Sequence, residues 1–207
     1  MNLLTIENEL KKIHTMPPWG RKQNNDWDAL SNFVYQCPSY EAFMTAIDKP
    51  YFEKGFVEYA THRWFNTWSA MGVEHIFCSQ PTVIPHKNKK DKLVDFQIQG
   101  INFDHKTTIF PKNIGYDIDT ALKNPHHLLR WLYENQSTEG RFHTSNRLFV
   151  VLHKKNGQHW QLRAQLTWLQ PIIESYLANF HMSRLHSFYF QPTILTYTDI
   201  IWAIEED

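Results

Sequence analysis

Cysteine is nearly absent from this sequence: Cys37 and Cys78 are the only two in 207 residues, far apart and without ligand spacing. That excludes a disulfide framework and a cysteine-based zinc signature, and it fits a reducing cytoplasm. Glycine is scarce too, at seven residues, and none forms a phosphate-binding loop, so NTPase, kinase and dinucleotide-fold readings have no motif to stand on. No apolar run approaches the roughly 18 residues needed to cross a bilayer. The amino terminus, MNLLTIENELKKIH, carries Glu7 and Glu9 in its first turns, unlike an export signal. A protein neither exported nor membrane-inserted is expected. An excess of one charge is also missing: 21 basic residues balance 21 acidic ones, so any affinity for nucleic acid must come from local clustering.

What is present is 42% hydrophobic and 15% aromatic residues, enough for one sizeable core and a single domain over residues 1–207. Leu3, Leu4, Ile6, Leu10 and Ile13 predict a helix over 2–14, broken by Pro17, Pro18 and Gly20. Asn25 or Asp26 caps the next, through Trp27, Leu30, Phe33 and Val34, and Pro38 and Ser39 start another to Ile47. Residues 1–49 thus read as a helical extension. From Pro50 to Met71, Phe52, Phe56, Tyr59, Ala60, Trp64, Trp68 and Met71 recur at helical period, and Gly72 is expected to end that helix. Three strands follow, His75–Ile84, Leu93–Gln99 and Ile101–Phe110, the last two turning at Gly100. A helix is expected over Asp117–Glu134. RLFVVLHKK, a continuous β-branched and apolar run, predicts a strand buried on both faces. A helix over Trp160–Phe180, kinked or divided at Pro171, then one more strand and a terminal helix capped by Thr198, complete the chain. The order is an α/β (α+β) layered domain: core αβββαβ over 50–155, a mixed sheet flanked by helices, with 156–207 completing the fold.

Chemistry concentrates on two of these strands. Alternation puts Asp95, Gln97 and Gln99 on one face of Leu93–Gln99, against Val94, Phe96 and Ile98. In the next strand Asn102, Asp104, Lys106 and Thr108 share a face opposite Phe103, His105 and Ile109. A hairpin at Gly100 is therefore expected to bring Asp95, Asp104 and Lys106 together, with the carboxylates close enough to share one cation. Mg²⁺ takes hard oxygen ligands, often only one or two carboxylates, and leaves positions for water and phosphate. A lysine two residues past the second carboxylate stands where its ammonium can act on the attacking water or on charge growing at phosphorus.

Val94-Asp95-Phe96 followed by Asp104-His105-Lys106 resembles the bipartite motif of the PD-(D/E)xK nuclease superfamily, with Val94 in the place of the motif proline and a short separation between the two aspartates. The resemblance covers about residues 50–155, including the element order. It implies a restriction-endonuclease-like fold and a Mg²⁺-dependent deoxyribonuclease, with Mn²⁺ as a substitute cation, acting on double-stranded DNA; many such enzymes dimerise to cut both strands, so the resemblance is compatible with a homodimer. By the same resemblance Asp95 and Asp104 are metal ligands together with the backbone carbonyl of His105, Lys106 is catalytic, and a glutamate of the preceding helix completes the site. Glu58 is the chosen acid, because Glu53 lies in the first turn, where the helix dipole already accounts for it.

Other readings stand beside this one. The same fold can serve as a non-catalytic DNA- or protein-binding module, or as a structure-specific or RNA-directed nuclease. Glu58 and His62 can equally be an i,i+4 pair on a wet helix face. Lys87, Lys89, Lys90 and Lys92 read as a soluble hairpin tip more readily than as a phosphate track. Arg141, His143 and Arg147 either contact DNA or pair with Glu134 and Glu139. The twelve histidines, His126, His127, His181 and His186 among them, show no zinc spacing. Trp64, Phe65 and Trp68 read as core.

Overall fold

The computed structural model describes residues 1–18, 25–88, 91, 93–135 and 144–206. Helix α1 (Leu3–Leu10) starts where the Asn2 side chain accepts a hydrogen bond from the Thr5 N–H, and α3 (Tyr40–Ile47) is capped by Ser39 in the same way. Between them lie α2 (Asn25–Leu30) and a 3-10 segment, Asn32–Gln36. Helix α4 runs from Lys54 to Cys78. It buries Phe56, Tyr59, Trp64, Phe65, Trp68, Ile76 and Phe77, so the aromatic stripe is core.

Gly72 does not end this helix. It lies inside α4, where a Cβ would come within 2.5 Å of a methyl carbon of Leu166, so the glycine is there to let another helix approach. The expected strand from His75 is accordingly helix up to Cys78, and β1 is only Val83–Pro85.

β2 (Phe96–Ile98) and β3 (Ile101–Ile109) form a hairpin paired Phe96 to Phe103 and Ile98 to Ile101. Gln99 and Gly100 both have positive φ, 48° and 85°, as a two-residue turn that follows the strands' own twist requires. The crossover carries two helices where one was expected, α5 (Ile118–Lys123) and α6 (Pro125–Asn135), because Pro125 starts a new one. It returns the chain to β4 (Arg147–Lys154), parallel to β3. A 3-10 segment, His159–Ala164, precedes α7 (Leu166–Ala178). Pro171 lies inside α7 and does not divide it. The carboxyl-terminal stretch is a hairpin, β5 (His186–Gln191) and β6 (Ile194–Glu205), and Thr198 is a strand residue and not a helix cap.

The six strands lie in the order β1-β2-β3-β4-β6-β5, a mixed sheet. β4 is the centre, parallel to both β3 and β6. Its side chains alternate between two apolar layers: Leu148, Val150 and Leu152 pack with residues of α1, α3, α4 and α7, while Phe149 and Val151 pack with those of α5 and α6. That is why its sequence is apolar without alternation. Ile6, Leu10, Val34 and Phe43 belong to the first layer, so the amino-terminal helices share the core of α4 and α7. No helix among the described residues is long and apolar enough to cross a membrane.

Candidate active site

Asp104 sits on β3 in register with Arg147, the first residue of β4. In a parallel pair, residues in register send their side chains to the same face, so the carboxylate and the guanidinium meet. Arg147 Nε donates to Asp104 Oδ2 at 2.9 Å. Two residues along the strand on the same face, Lys106 Nζ donates to Asp104 Oδ1 at 2.7 Å. Both carboxylate oxygens thus hold a cationic donor. Side-chain exposure separates the donors: Asp104 is 2% exposed and Arg147 8%, but Lys106 is 41% exposed. The Arg147 guanidinium also lies 5.4 Å from the Tyr133 ring centre. The Tyr133 hydroxyl donates to the Ser145 carbonyl at 2.9 Å, and burial holds its pKa well above the usual tyrosine range.

Asp95 departs from simple alternation. Its N–H donates to the Phe103 carbonyl at 2.8 Å although Phe96 is the residue paired with Phe103. Asp95 and Phe96 therefore stand together opposite one residue, the pairing of a β-bulge, which re-aims a side chain. The carboxylate meets His105 instead of Asp104: Oδ2 accepts from the His105 N–H at 2.8 Å and from Nδ1–H of its ring at 2.7 Å. The ring itself follows the expected alternation, stacked on Phe96 and tilted against Phe77 in the α4 layer. Burial opposes the Asp95 charge, but the two His105 hydrogen bonds, the His105 charge and the nearby Lys106 ammonium outweigh it and bring the carboxyl from 3.8 to about 2.

Of the expected group, Asp104 and Lys106 are thus in direct contact. Asp95 is joined to them through His105 and through the field of Lys106. The expectation that both carboxylates turn to one face is corrected by the bulge. Glu58 is not part of the group. It pairs with Lys54 at 3.8 Å, and it lies 19 residues before Phe77, the α4 residue that touches His105, which is about 28 Å along a helix. Glu58 and His62 do not take each other as hydrogen-bonded partners here: Glu58 faces Lys54, and His62 Nε2 is hydrogen-bonded to the Pro17 carbonyl at 2.6 Å. The acid α4 carries near the site end is Glu74, three residues before Phe77.

Arg147 was expected to meet DNA or Glu134 and Glu139; among the described residues it holds Asp104. Glu134 stands 3.8 Å from Arg130. Asn146 was not foreseen either. Its carbonyl accepts from the Asp104 N–H at 3.0 Å, its amide donates to the Asn102 carbonyl at 3.1 Å, and its Oδ1 accepts from the Tyr197 N–H at 2.8 Å. It ties β3, β4 and β6 together beside Asp104. Lys89, Lys90, Lys92, Glu139, Arg141 and His143 lie outside the described residues.

A divalent cation at this place would draw on the carboxylates of Asp95 and Asp104. The Asp104 N–H points to the β4 side, so the alternation of strand hydrogen bonds turns the His105 N–H and carbonyl toward β2, where Asp95 is. Two carboxylates and a carbonyl are hard donors of the kind Mg²⁺ accepts when water fills its other positions. Among the described residues no group of three or more His, Cys, Asp and Glu side chains is placed to hold a metal ion. No family model matches the chain, and no curated protein and no solved structure matches it.

Proposed function

We propose that the chain is a metal-dependent nuclease of the PD-(D/E)xK type, hydrolysing DNA phosphodiester bonds with a divalent cation held by Asp95, Asp104 and the His105 carbonyl. The observation that carries this reading is the Asp104–Lys106 pair on β3, facing away from His105, with Asp95 across the β2–β3 hairpin. The element order supports it: a long helix, a three-strand antiparallel meander, a helical crossover and a parallel fourth strand reproduce the αβββαβ order implied by the motif. The bound cation would polarise the phosphate and lower the pKa of an attacking water. The protein's part is to present the oxygens and to place the Lys106 ammonium beside the reacting phosphate. Lys106 is the more exposed partner of Asp104, and on metal binding it would exchange the carboxylate for the phosphate. Asp95 would likewise exchange His105 for the cation.

One observation favours a second reading. Each carboxylate already has its counter-charge or donors within the protein, Asp104 from Lys106 and Arg147 and Asp95 from His105. Such a cluster can be structural, on a fold that binds DNA or a protein without cutting. Incubation with supercoiled plasmid and with single-stranded DNA and RNA, in Mg²⁺, Mn²⁺ or chelator, separates the two. Cation-dependent cleavage abolished by Asp104→Ala supports the nuclease, and cleavage unaffected by Asp104→Ala would rule out this mechanism. Binding without cleavage in either metal identifies the binding module.

A further inference from the structure

We propose that Arg147 is a positioning residue that makes Asp104 a one-oxygen ligand and deliberately weakens the site's hold on its cation; this rests on the reading of Asp95 and Asp104 as a divalent-cation site. The two donors on Asp104 are not equivalent. Lys106 reaches Oδ1 from a side chain that is 41% exposed, so water can receive its ammonium when a cation arrives. Arg147 reaches Oδ2 from a side chain only 8% exposed, its guanidinium set against the Tyr133 ring and that ring anchored by the Tyr133 hydroxyl on the Ser145 carbonyl. Its place is also fixed by backbone pairing, since Arg147 and Asp104 are in register between β4 and β3. Oδ2 is therefore committed, and Oδ1 is the oxygen left for a metal. A buried positive charge stays beside the cation for as long as it is bound.

Arg147 then acts in two opposing ways. Fixing the carboxylate strengthens metal binding, and outer-shell partners of this kind change affinity by about 10- to 100-fold. A fixed guanidinium repels a dication in a poorly solvated place, and Coulomb energy there is several times its value in water. The repulsion acts on a double charge and outweighs the orientation. A weak site suits an enzyme whose metal must also be bridged by the substrate phosphate, because the phosphate's negative charge then supplies what the protein withholds.

The two effects are separable by substitution. Mn²⁺ binding is measured by calorimetry and by the loss of the free-ion electron paramagnetic resonance signal, without DNA, on wild type, D104N, R147K, R147Q and R147M, each checked for folding by circular dichroism. Removing the charge in R147M should tighten Mn²⁺ binding by about tenfold through relief of the repulsion, whereas loss of a purely orienting partner weakens it. R147K keeps the charge but loses the planar fork, and should bind no tighter than wild type. R147Q keeps a donor for Asp104 and covers the case in which R147M does not fold; it should also bind more tightly. If D104N abolishes binding while the neutral variants bind as wild type or more weakly, Arg147 only orients or supports Asp104 and the proposal is overturned, with the metal site intact. A wild-type protein that takes up no Mn²⁺ would overturn the metal site itself, an outcome distinct from the first.

Discussion

Single side chains decide what the site can do, and Lys106 is the most informative. If its only task were to neutralise Asp104, Lys106→Met would change stability and leave the rate of any chemistry untouched. As an electrostatic donor to the scissile phosphate, its loss should slow single-turnover cleavage by a few powers of ten, the equivalent of about 3 to 4 kcal/mol, with DNA binding retained. Rapid-quench kinetics at saturating protein and Mg²⁺ gives that rate, and a wild-type value would refute the catalytic role. Asp95 is open to a test by acid. Its carboxyl is depressed from 3.8 to about 2 in the folded protein, through His105 and against burial. A depressed carboxyl stabilises the fold above its unfolded pKa, and the contribution is lost as pH falls through the folded one. In chelator, urea titrations should show about 2 kcal/mol lost between about pH 4 and pH 2, and Asp95→Asn should lack that step. An unchanged pH profile in Asp95→Asn would mean that the His105 contacts do not hold the charge.

At the level of elements, Gly72 shows how a local signal can be right in kind and wrong in meaning. Glycine near the end of a periodic stretch reads as a helix stop, yet here it is the contact point between α4 and α7, against Leu166, which is fully buried. Gly72→Ala should gain about 1 kcal/mol in helix propensity and lose about 1 to 3 kcal/mol to overpacking, for a net loss of stability. Thermal unfolding of Gly72→Ala, Leu166→Ala and the double variant checks this: the two changes should be strongly non-additive, the alanine at 72 filling space that the truncated Leu166 gives up. The same limit explains which elements were legible. The periodic α4, the Gly100 turn, the twofold-buried β4 and the order from α4 to β4 were all written locally, in period, turn residue and apolar run. The carboxyl-terminal hairpin was not, because Thr198-Asp199 before an apolar run carries the same letters as a helix cap. Only pairing of Thr198 with Arg147 and His186 in neighbouring strands makes it β6.

The molecule as a whole places its amino-terminal helices in the core, not on top of it. Leu10, Val34 and Phe43 are fully buried in the layer shared by α4 and α7, and the Glu7 carboxylate accepts from both the Thr167 N–H and its hydroxyl at 2.7 Å. A chain beginning at residue 50 should therefore fail to give the dispersed amide spectrum of a folded protein, and a well-dispersed spectrum would show that the extension is dispensable. The site divides the same way by distance in the sequence. Asp104 and Lys106 were legible because alternation within one strand is local. The bulge at Asp95 was not, because it depends on how Phe103 is shared across the hairpin, and Arg147 was not, because its partner arrives only through the crossover. That last distance also has a kinetic meaning. The Asp104–Arg147 bond joins residues 43 apart, whereas the β2–β3 hairpin closes over a two-residue turn. The hairpin can form early, but closure of the crossover loop must precede the ion pair, so the pair belongs to the native side of the folding barrier. Arg147→Met in metal-free solution leaves Asp104 buried with one partner fewer, a loss of about 3 to 5 kcal/mol if the pair is fully desolvated. On a chevron plot that loss should fall on the unfolding arm, with refolding close to wild type. The charged centre would then be the last part of the sheet to set and the first to let go.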